Sequence, residues 1–135
     1  MSQMSDYLEG QLRAHIFRTA SFAKPTNLYV SLHTANPADD ATGAEATYGS
    51  YARVLRAPLD ANWTAGTATD GIITNAAIVT FPASSSGTNI ITHFAIWDAL
   101  SAGNMLCYGT LSVSITVTTG VTPAFAIGGI TITFQ

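Results

Sequence analysis

The segment Leu28-Tyr-Val-Ser-Leu-His33 alternates apolar and more polar side chains at every position. A period of two places successive side chains on opposite faces of an extended chain, which is typical of a half-buried β-strand. We therefore expect a strand here, with Leu28, Val30 and Leu32 on the face that packs into the core.

The remainder of the chain, on the C-terminal side, repeats short apolar runs separated by Gly, Ser and Asn. These runs predict further strands near residues 51–56, 72–81, 90–97, 105–111, 113–118, 122–127 and 130–134. Short, evenly spaced strands rich in β-branched residues indicate a mainly β fold, a β-sandwich or jelly-roll-like domain. We expect its central core to include Phe94, Ile96, Phe125 and Ile132.

Three other segments complete the predicted organisation as a single domain, residues 1–135. Residues 5–20 carry a helix-start signal and the apolar stripe Leu8, Leu12, Ile16 and Phe17, so we expect an amphipathic N-terminal helix. We favour docking of this stripe on the β-sandwich of residues 27–135; the alternative is that a neighbouring subunit covers it. Residues 34–50 predict a long exposed loop that is either functional or an interface arm. Residues 58–70, which contain Trp63, lack periodicity and are expected to be irregular.

The charged fraction is the unusual feature of the composition. Only 10% of the 135 residues are charged, against roughly 25% in ordinary soluble domains. Between Gly71 and Gln135 the only Asp, Glu, Lys or Arg is Asp98. So few charges protect strand edges poorly against pairing with other chains. We therefore expect a homo-oligomer or a subunit that other proteins cover.

Several function classes are disfavoured. The net charge is −3 and the five basic residues are scattered, whereas nucleic-acid binding needs a basic stripe. No apolar run reaches the 18 or more residues typical of a membrane helix. The N-terminus lacks a secretory signal and Cys107 is the only cysteine, so we expect synthesis in a reducing cytoplasm.

The search for chemistry returns no catalytic, metal or cofactor site. The three histidines and Cys107 do not follow metal-ligand spacing, and no serine stands in a nucleophile motif. Paired acids in the long loop are expected to be solvated. We therefore expect a protein that is not an enzyme and needs no cofactor. The candidate interface residues are Tyr7, Arg13, Asp39, Asp40, Trp63 and Trp97.

Six segments, spread in sequence over nearly the whole chain, also point to a known protein family. They are Ser5-Asp-Tyr-Leu-Glu9; Asn27-Leu-Tyr-Val-Ser-Leu-His-Thr34 with Asn36-Pro37; Gly49-Ser-Tyr-Ala-Arg53; Ile73-Thr-Asn-Ala-Ala77 with Val79-Thr-Phe-Pro82; Ile91-Thr-His-Phe-Ala-Ile-Trp-Asp98 with Gly103-Asn-Met-Leu106 and Tyr108-Gly-Thr-Leu111; and Phe125-Ala-Ile-Gly-Gly-Ile-Thr-Ile132. Together they resemble a family of small tailed-bacteriophage virion proteins, which are labelled tail fibre or decoration proteins.

This resemblance implies a non-enzymatic structural protein of the virion, made in the host cytoplasm. Its partners would be other virion proteins, either major capsid or tail subunits. A long fibre usually has an extended repetitive shaft and this chain has no repeats, so we favour a capsid decoration or cement protein. The alternative is a tail or tail-fibre-associated protein, with host-surface glycan binding through Trp63 or Trp97 as a further option.

Overall fold

The computed structural model describes residues 2–67 and 70–134, so residues 1 and 135 of the predicted domain lie outside it. Strands β1 to β5 cover Ser2–Met4, Tyr29–His33, Val54–Leu55, Trp63–Ala65 and Ile72–Asn75. Strands β6 to β10 cover Val79–Thr80, Asn89–Trp97, Met105–Val117, Ala124–Phe125 and Thr131–Thr133. The helix α1 covers Asp6–Phe17, between β1 and β2.

All strand pairs are antiparallel within the described residues, and they form three sheets. The largest has the order β1-β8-β7-β2-β3, with the long pair β7 and β8 near its centre. A three-stranded sheet has the order β10-β5-β4, and β6 pairs with β9 alone. In the large sheet Leu32 lies opposite Phe94, which aligns the core-facing side chains of β2 and β7.

One hydrophobic core takes residues from all three sheets. Phe81, Phe94 and Phe125 are each at most 5% exposed. Phe125 meets both other rings edge-on, at centroid distances of 6.0 and 6.3 Å, an arrangement that aromatic quadrupoles favour. The predicted core residues Phe94, Ile96, Phe125 and Ile132 all belong to it. The prediction of a mainly β fold with a short N-terminal helix is confirmed.

The N-terminal segment docks through its beginning only. Residues 2–4, too short to show a pattern, pair with β8. Ser5 then caps α1, its Oγ accepting a hydrogen bond from the Leu8 N–H at 3.3 Å. Leu8 is buried, but Ile16 and Phe17 are 66% and 79% exposed. The predicted docking of the whole apolar stripe is therefore wrong beyond the first turns, and the helix ends at Phe17 rather than residue 20.

Several strand boundaries differ from the sequence prediction. The strands expected over 51–56 and 122–127 are reduced to β3 and β9, of two residues each. The two strands expected over 105–111 and 113–118 are one strand, β8, because Ser112 and Ser114 are tolerated on an exposed face. The strand expected over 72–81 is divided into β5 and β6, where the buried Asn75 side chain donates to two backbone carbonyls outside the ladder. Residues 58–70 contain β4, although residues 68–69 lie outside the described part of the chain.

The loop at 34–50 is less exposed than predicted. It folds back along β2, where the Ala46 N–H donates to the Leu32 carbonyl at 2.8 Å. Ala46 and Tyr48 are buried in the main core. Together with β7, this loop covers β2, so Ser31 and His33 are buried as well as Val30 and Leu32. The prediction of a strand with one solvated face is wrong for this reason.

Candidate interaction surface

An apolar cavity of about 330 Å³ opens between the first turn of α1 and the three-stranded sheet. Its volume falls at the lower end of the roughly 300–1,000 Å³ typical of small-ligand pockets. Apolar side chains form most of its wall and Asp60 lies at its rim. Its lining residues include Leu8, Leu59, Asp60, Trp63, Ala65 and Cys107.

Trp63, a candidate interface residue, forms part of this wall. It is half-buried in β4, and its indole Nε1 donates a hydrogen bond to the Arg56 carbonyl at 3.3 Å. The bond satisfies the polar atom and fixes the ring. Trp63 therefore presents an apolar surface to the cavity and holds its only hydrogen-bond donor away from it.

Tyr7, Asp39 and Asp40 lie together at a separate depression of about 290 Å³ beside Met105. The Tyr108 hydroxyl donates to Asp39 Oδ1 at 2.6 Å. Burial, assisted by the Asp39 carboxylate, raises the pKa of Tyr108 to about 12, so Tyr108 stays protonated as a donor. The fold thus brings together three of the six residues that the sequence singled out.

Trp97 lies in a different environment from the one predicted for a ligand-stacking aromatic. It is 7% exposed, and the Arg53 guanidinium covers its ring at 3.8 Å from the centroid. Its Nε1 donates to Ser31 Oγ at 2.8 Å. Contact of a partner with the covered ring face would therefore require Arg53 to move away.

Arg53 is held by a two-point ion pair with Glu45. Its Nε and Nη2 donate to the two carboxylate oxygens at 2.9 and 2.8 Å, the fork geometry that suits guanidinium and carboxylate best. Tyr51 also donates to Glu45 at 2.8 Å. Burial alone would raise the pKa of Glu45. The hydrogen bonds from Arg53 and Tyr51, together with the positive charge of Arg53, have the larger effect and hold this pKa below its ordinary value. The pair therefore ties the 34–50 loop to the segment directly before β3.

Ser31 and His33 form a hydrogen-bonded pair under this ion pair. Ser31 Oγ lies 2.8 Å from His33 Nε2, the spacing of a nucleophile and its base. Both residues are at most 1% exposed. Burial lowers the pKa of His33 to about 4, which leaves the imidazole neutral at pH 7. No substrate reaches the hydroxyl without opening the core, so the pair acts as internal packing. Sequence periodicity placed both residues on the solvent face and so missed it.

Arg13 lies on the part of α1 that projects from the domain. It is exposed, and so is every residue from His15 to Ser21. Residues 15–21 thus form a protruding segment rather than a docked one.

Metal and thiol chemistry finds no support among the residues that the structure describes. No group of three His, Cys, Asp or Glu residues in them could hold a metal ion. Cys107 is buried, and burial raises the pKa of its thiol to about 12. The described residues also contain no helix with the length and hydropathy needed to cross a bilayer.

A family model described as podophage GP4 fiber I protein gp80 matches residues 3–133. The chain belongs to this family. The resemblance to tailed-phage virion structural proteins is therefore confirmed, and the family is one of fibre proteins. No curated protein matches the chain.

Membership in a fibre family agrees better with the alternative function than with the favoured one. The absence of a repetitive shaft does not exclude a fibre role, because a compact domain can belong to a fibre through its contacts with neighbouring subunits. The six candidate interface residues remain predictions, and the structure places Tyr7, Asp39 and Asp40 together but Arg13, Trp63 and Trp97 elsewhere.

Proposed function

We propose that this chain is a structural component of the phage tail, a fibre or fibre-attachment subunit that acts by binding other virion proteins. The observation that carries this proposal is the family match over residues 3–133, which leaves almost none of the chain outside a fibre family. A capsid decoration role, which the sequence alone favoured, has no comparable support.

The surface chemistry supports a role in assembly. Large apolar side chains stand exposed at several places, among them Phe17, Leu59 and Val113, which are 79%, 59% and 75% exposed. Lys and Glu, which commonly blunt strand edges, are absent from residues 71–135. Such a surface suits a subunit whose neighbours cover part of it.

A non-enzymatic role is part of the proposal. The Ser31 hydroxyl, the most plausible nucleophile by geometry, is sealed in the core with its neutral histidine. The Asp39 carboxylate accepts a bond from Tyr108, and Asp40 accepts two from Thr42. These carboxylates are engaged in local structure, which argues against a catalytic role for them.

We also propose that residues 1–135 act as a single domain, because one core joins all three sheets. Host-glycan binding is the less favoured option. Sugar recognition commonly needs an accessible aromatic face beside polar groups. Arg53 covers the Trp97 ring, and the Trp63 ring faces a cavity with a mainly apolar lining.

The test is the copy number and position of the protein in purified particles. Quantitative gel analysis against the major capsid protein should give a few to a few tens of copies, and gold-labelled antibody should mark the tail in electron micrographs. Hundreds of copies with label over the capsid shell would show a decoration protein and overturn the proposal.

A further inference from the structure

The projecting end of α1 carries an unpartnered apolar group. We name residues 16–18 the helix tip. Phe17 in it is 79% exposed and Ile16 is 66% exposed, and Arg18 is exposed beside them. A phenylalanine that is this exposed gains little stability from burial in its own subunit, so another surface is needed to cover its ring.

The apolar cavity is a receptor of matching size and chemistry. It offers about 330 Å³ of space lined mainly by aliphatic and aromatic side chains, with the Trp63 ring in its wall. Wall residues such as Leu59 remain exposed. An aromatic anchor inserted into such a pocket is the usual form of a binding hot spot.

The helix tip cannot fill the cavity of its own subunit. Leu8 lines the cavity at the start of α1, and Phe17 lies nine residues further along the same helix. At 1.5 Å per residue the two positions are separated by roughly 13 Å along the axis. A straight helix therefore holds its own tip away from its own cavity, whereas the tip of another copy is free to enter.

The two surfaces also carry opposite charge. Arg13 and Arg18 flank the apolar side chains of the tip, and neither forms an ion pair with a carboxylate in the described residues. At the other end of α1, the exposed Glu9 directly follows Leu8. Asp60 lies at the cavity rim, where Lys24 also reaches the Pro58 carbonyl at 3.3 Å. Two carboxylates against one ammonium leave this end of α1 and the cavity rim with a net negative charge, opposite to that of the tip.

We propose that the helix tip of one copy inserts Phe17 into the apolar cavity of a second copy. Tip and cavity are different surfaces of the same chain, so the contact is head-to-tail and each copy can bind one neighbour at each end. Such contacts close into rings or propagate into filaments. This inference goes beyond the proposed function, because it concerns self-association of the isolated chain and does not depend on its place in the particle.

The first experiment measures self-association of the full chain by sedimentation velocity between about 1 and 200 µM. Phe17→Ala should weaken the association at least about 30-fold, the size expected when a hot-spot anchor is removed. Val113→Ala truncates a comparably exposed apolar side chain on β8 and serves as the matched control, expected to stay within about twofold. Circular dichroism should show the same fold for both variants.

The second experiment tests the head-to-tail geometry by complementation. Ala65→Trp places a large ring at the exposed cavity wall and should abolish self-association as Phe17→Ala does. Mixed together, the two variants retain one intact tip and one intact cavity. They should therefore form a one-to-one heterodimer with an affinity near that of the wild-type contact, and no larger species.

A weaker electrostatic effect is expected in the same assay. Asp60→Lys should reduce affinity up to about fivefold, since an exposed ion pair contributes at most about 1 kcal/mol, and the loss should shrink at high salt.

Four results would each overturn the proposal. One is a wild-type chain that stays monomeric at 200 µM. Another is self-association that survives both Phe17→Ala and Ala65→Trp. The third is an equal loss of affinity in the Val113→Ala control, which would place the contact on the β8 edge. A mixture of the two variants that stays monomeric would exclude the head-to-tail arrangement, even if each variant alone loses association.

Discussion

Truncation of Phe94 to alanine is the sharpest test of the core described above. Phe94 is 3% exposed and lies opposite Leu32 of β2 in the centre of the large sheet. On its other side Gly109 of β8 contributes no side chain. Its ring meets Phe125 edge-on at 6.3 Å. The side chain thus joins the large sheet to the two-stranded sheet of β6 and β9.

The expected cost follows from this environment. Removing a buried Phe side chain loses its transfer free energy and leaves a cavity, which together cost about 3–5 kcal/mol. Gly109 cannot move in to fill the space. Domains of this size have free energies of unfolding of about 5–15 kcal/mol, so the change removes a large fraction of the total. With an unfolding entropy of about 2.1 cal/mol/K per residue, the 135-residue chain should lose roughly 11–18 °C in Tm.

Thermal and urea unfolding followed by circular dichroism will measure this cost. Phe17→Ala is the matched control, because it makes the same chemical change at a position that is 79% exposed. At micromolar concentration or below, its free energy of unfolding should change by no more than about 0.5 kcal/mol. If Phe94→Ala unfolds within 2 °C of the wild type, or if both variants lose the same amount, the assignment of Phe94 to the core is refuted.

Three further outcomes are expected. Glu45→Gln should lower the free energy of unfolding by roughly 2–3 kcal/mol in urea titrations, because it leaves the buried Arg53 guanidinium without a counter-charge; an unchanged urea midpoint would contradict this. The pKa of histidine is near 6.5 in the unfolded chain, and that of folded His33 is about 4. Between these pH values the unfolded state binds more protons than the folded state. The free energy of unfolding should therefore fall by about 3 kcal/mol as the pH drops from 6.5 to 4. His33→Gln should flatten that slope, and an equal slope in both proteins would assign the pH dependence to other groups. Deletion of residues 1–20 should lower the Tm of the isolated chain, because it removes β1 and the buried Leu8; an unchanged Tm would show that the segment serves assembly alone.

Much of the fold could be predicted because its main signals are local. The alternation in residues 28–33 and the apolar run in 90–97 place β2 and β7 side by side in the large sheet. Ser5 and the acids after it mark the start of α1, since capping depends on neighbours three residues away. The extent of β8 was harder to predict, because Ser and Thr on an exposed strand face resemble turn residues.

The surroundings of the candidate residues could not be predicted, because they depend on distant parts of the chain. The exposure of Trp97 is decided by Arg53, which packs on its ring from a strand-free segment 44 positions away. The burial of His33 depends on how the 34–50 loop folds back. The Phe17 side chain belongs to a correctly predicted stripe, yet only the three-dimensional path of α1 shows that the stripe leaves the domain surface.

The pairing of β1 with β8 also bears on how the protein folds during synthesis. Met4 pairs with Cys107, so the N-terminal strand waits for a partner about a hundred residues downstream. At translation rates of about 5–20 residues per second this delay is roughly 5–20 s. During that time the nascent chain exposes an unpaired strand and the apolar segments that follow it. Folding of residues 2–134 is therefore expected to finish only after most of them have been synthesised, and nascent copies on neighbouring ribosomes have that interval in which to mispair.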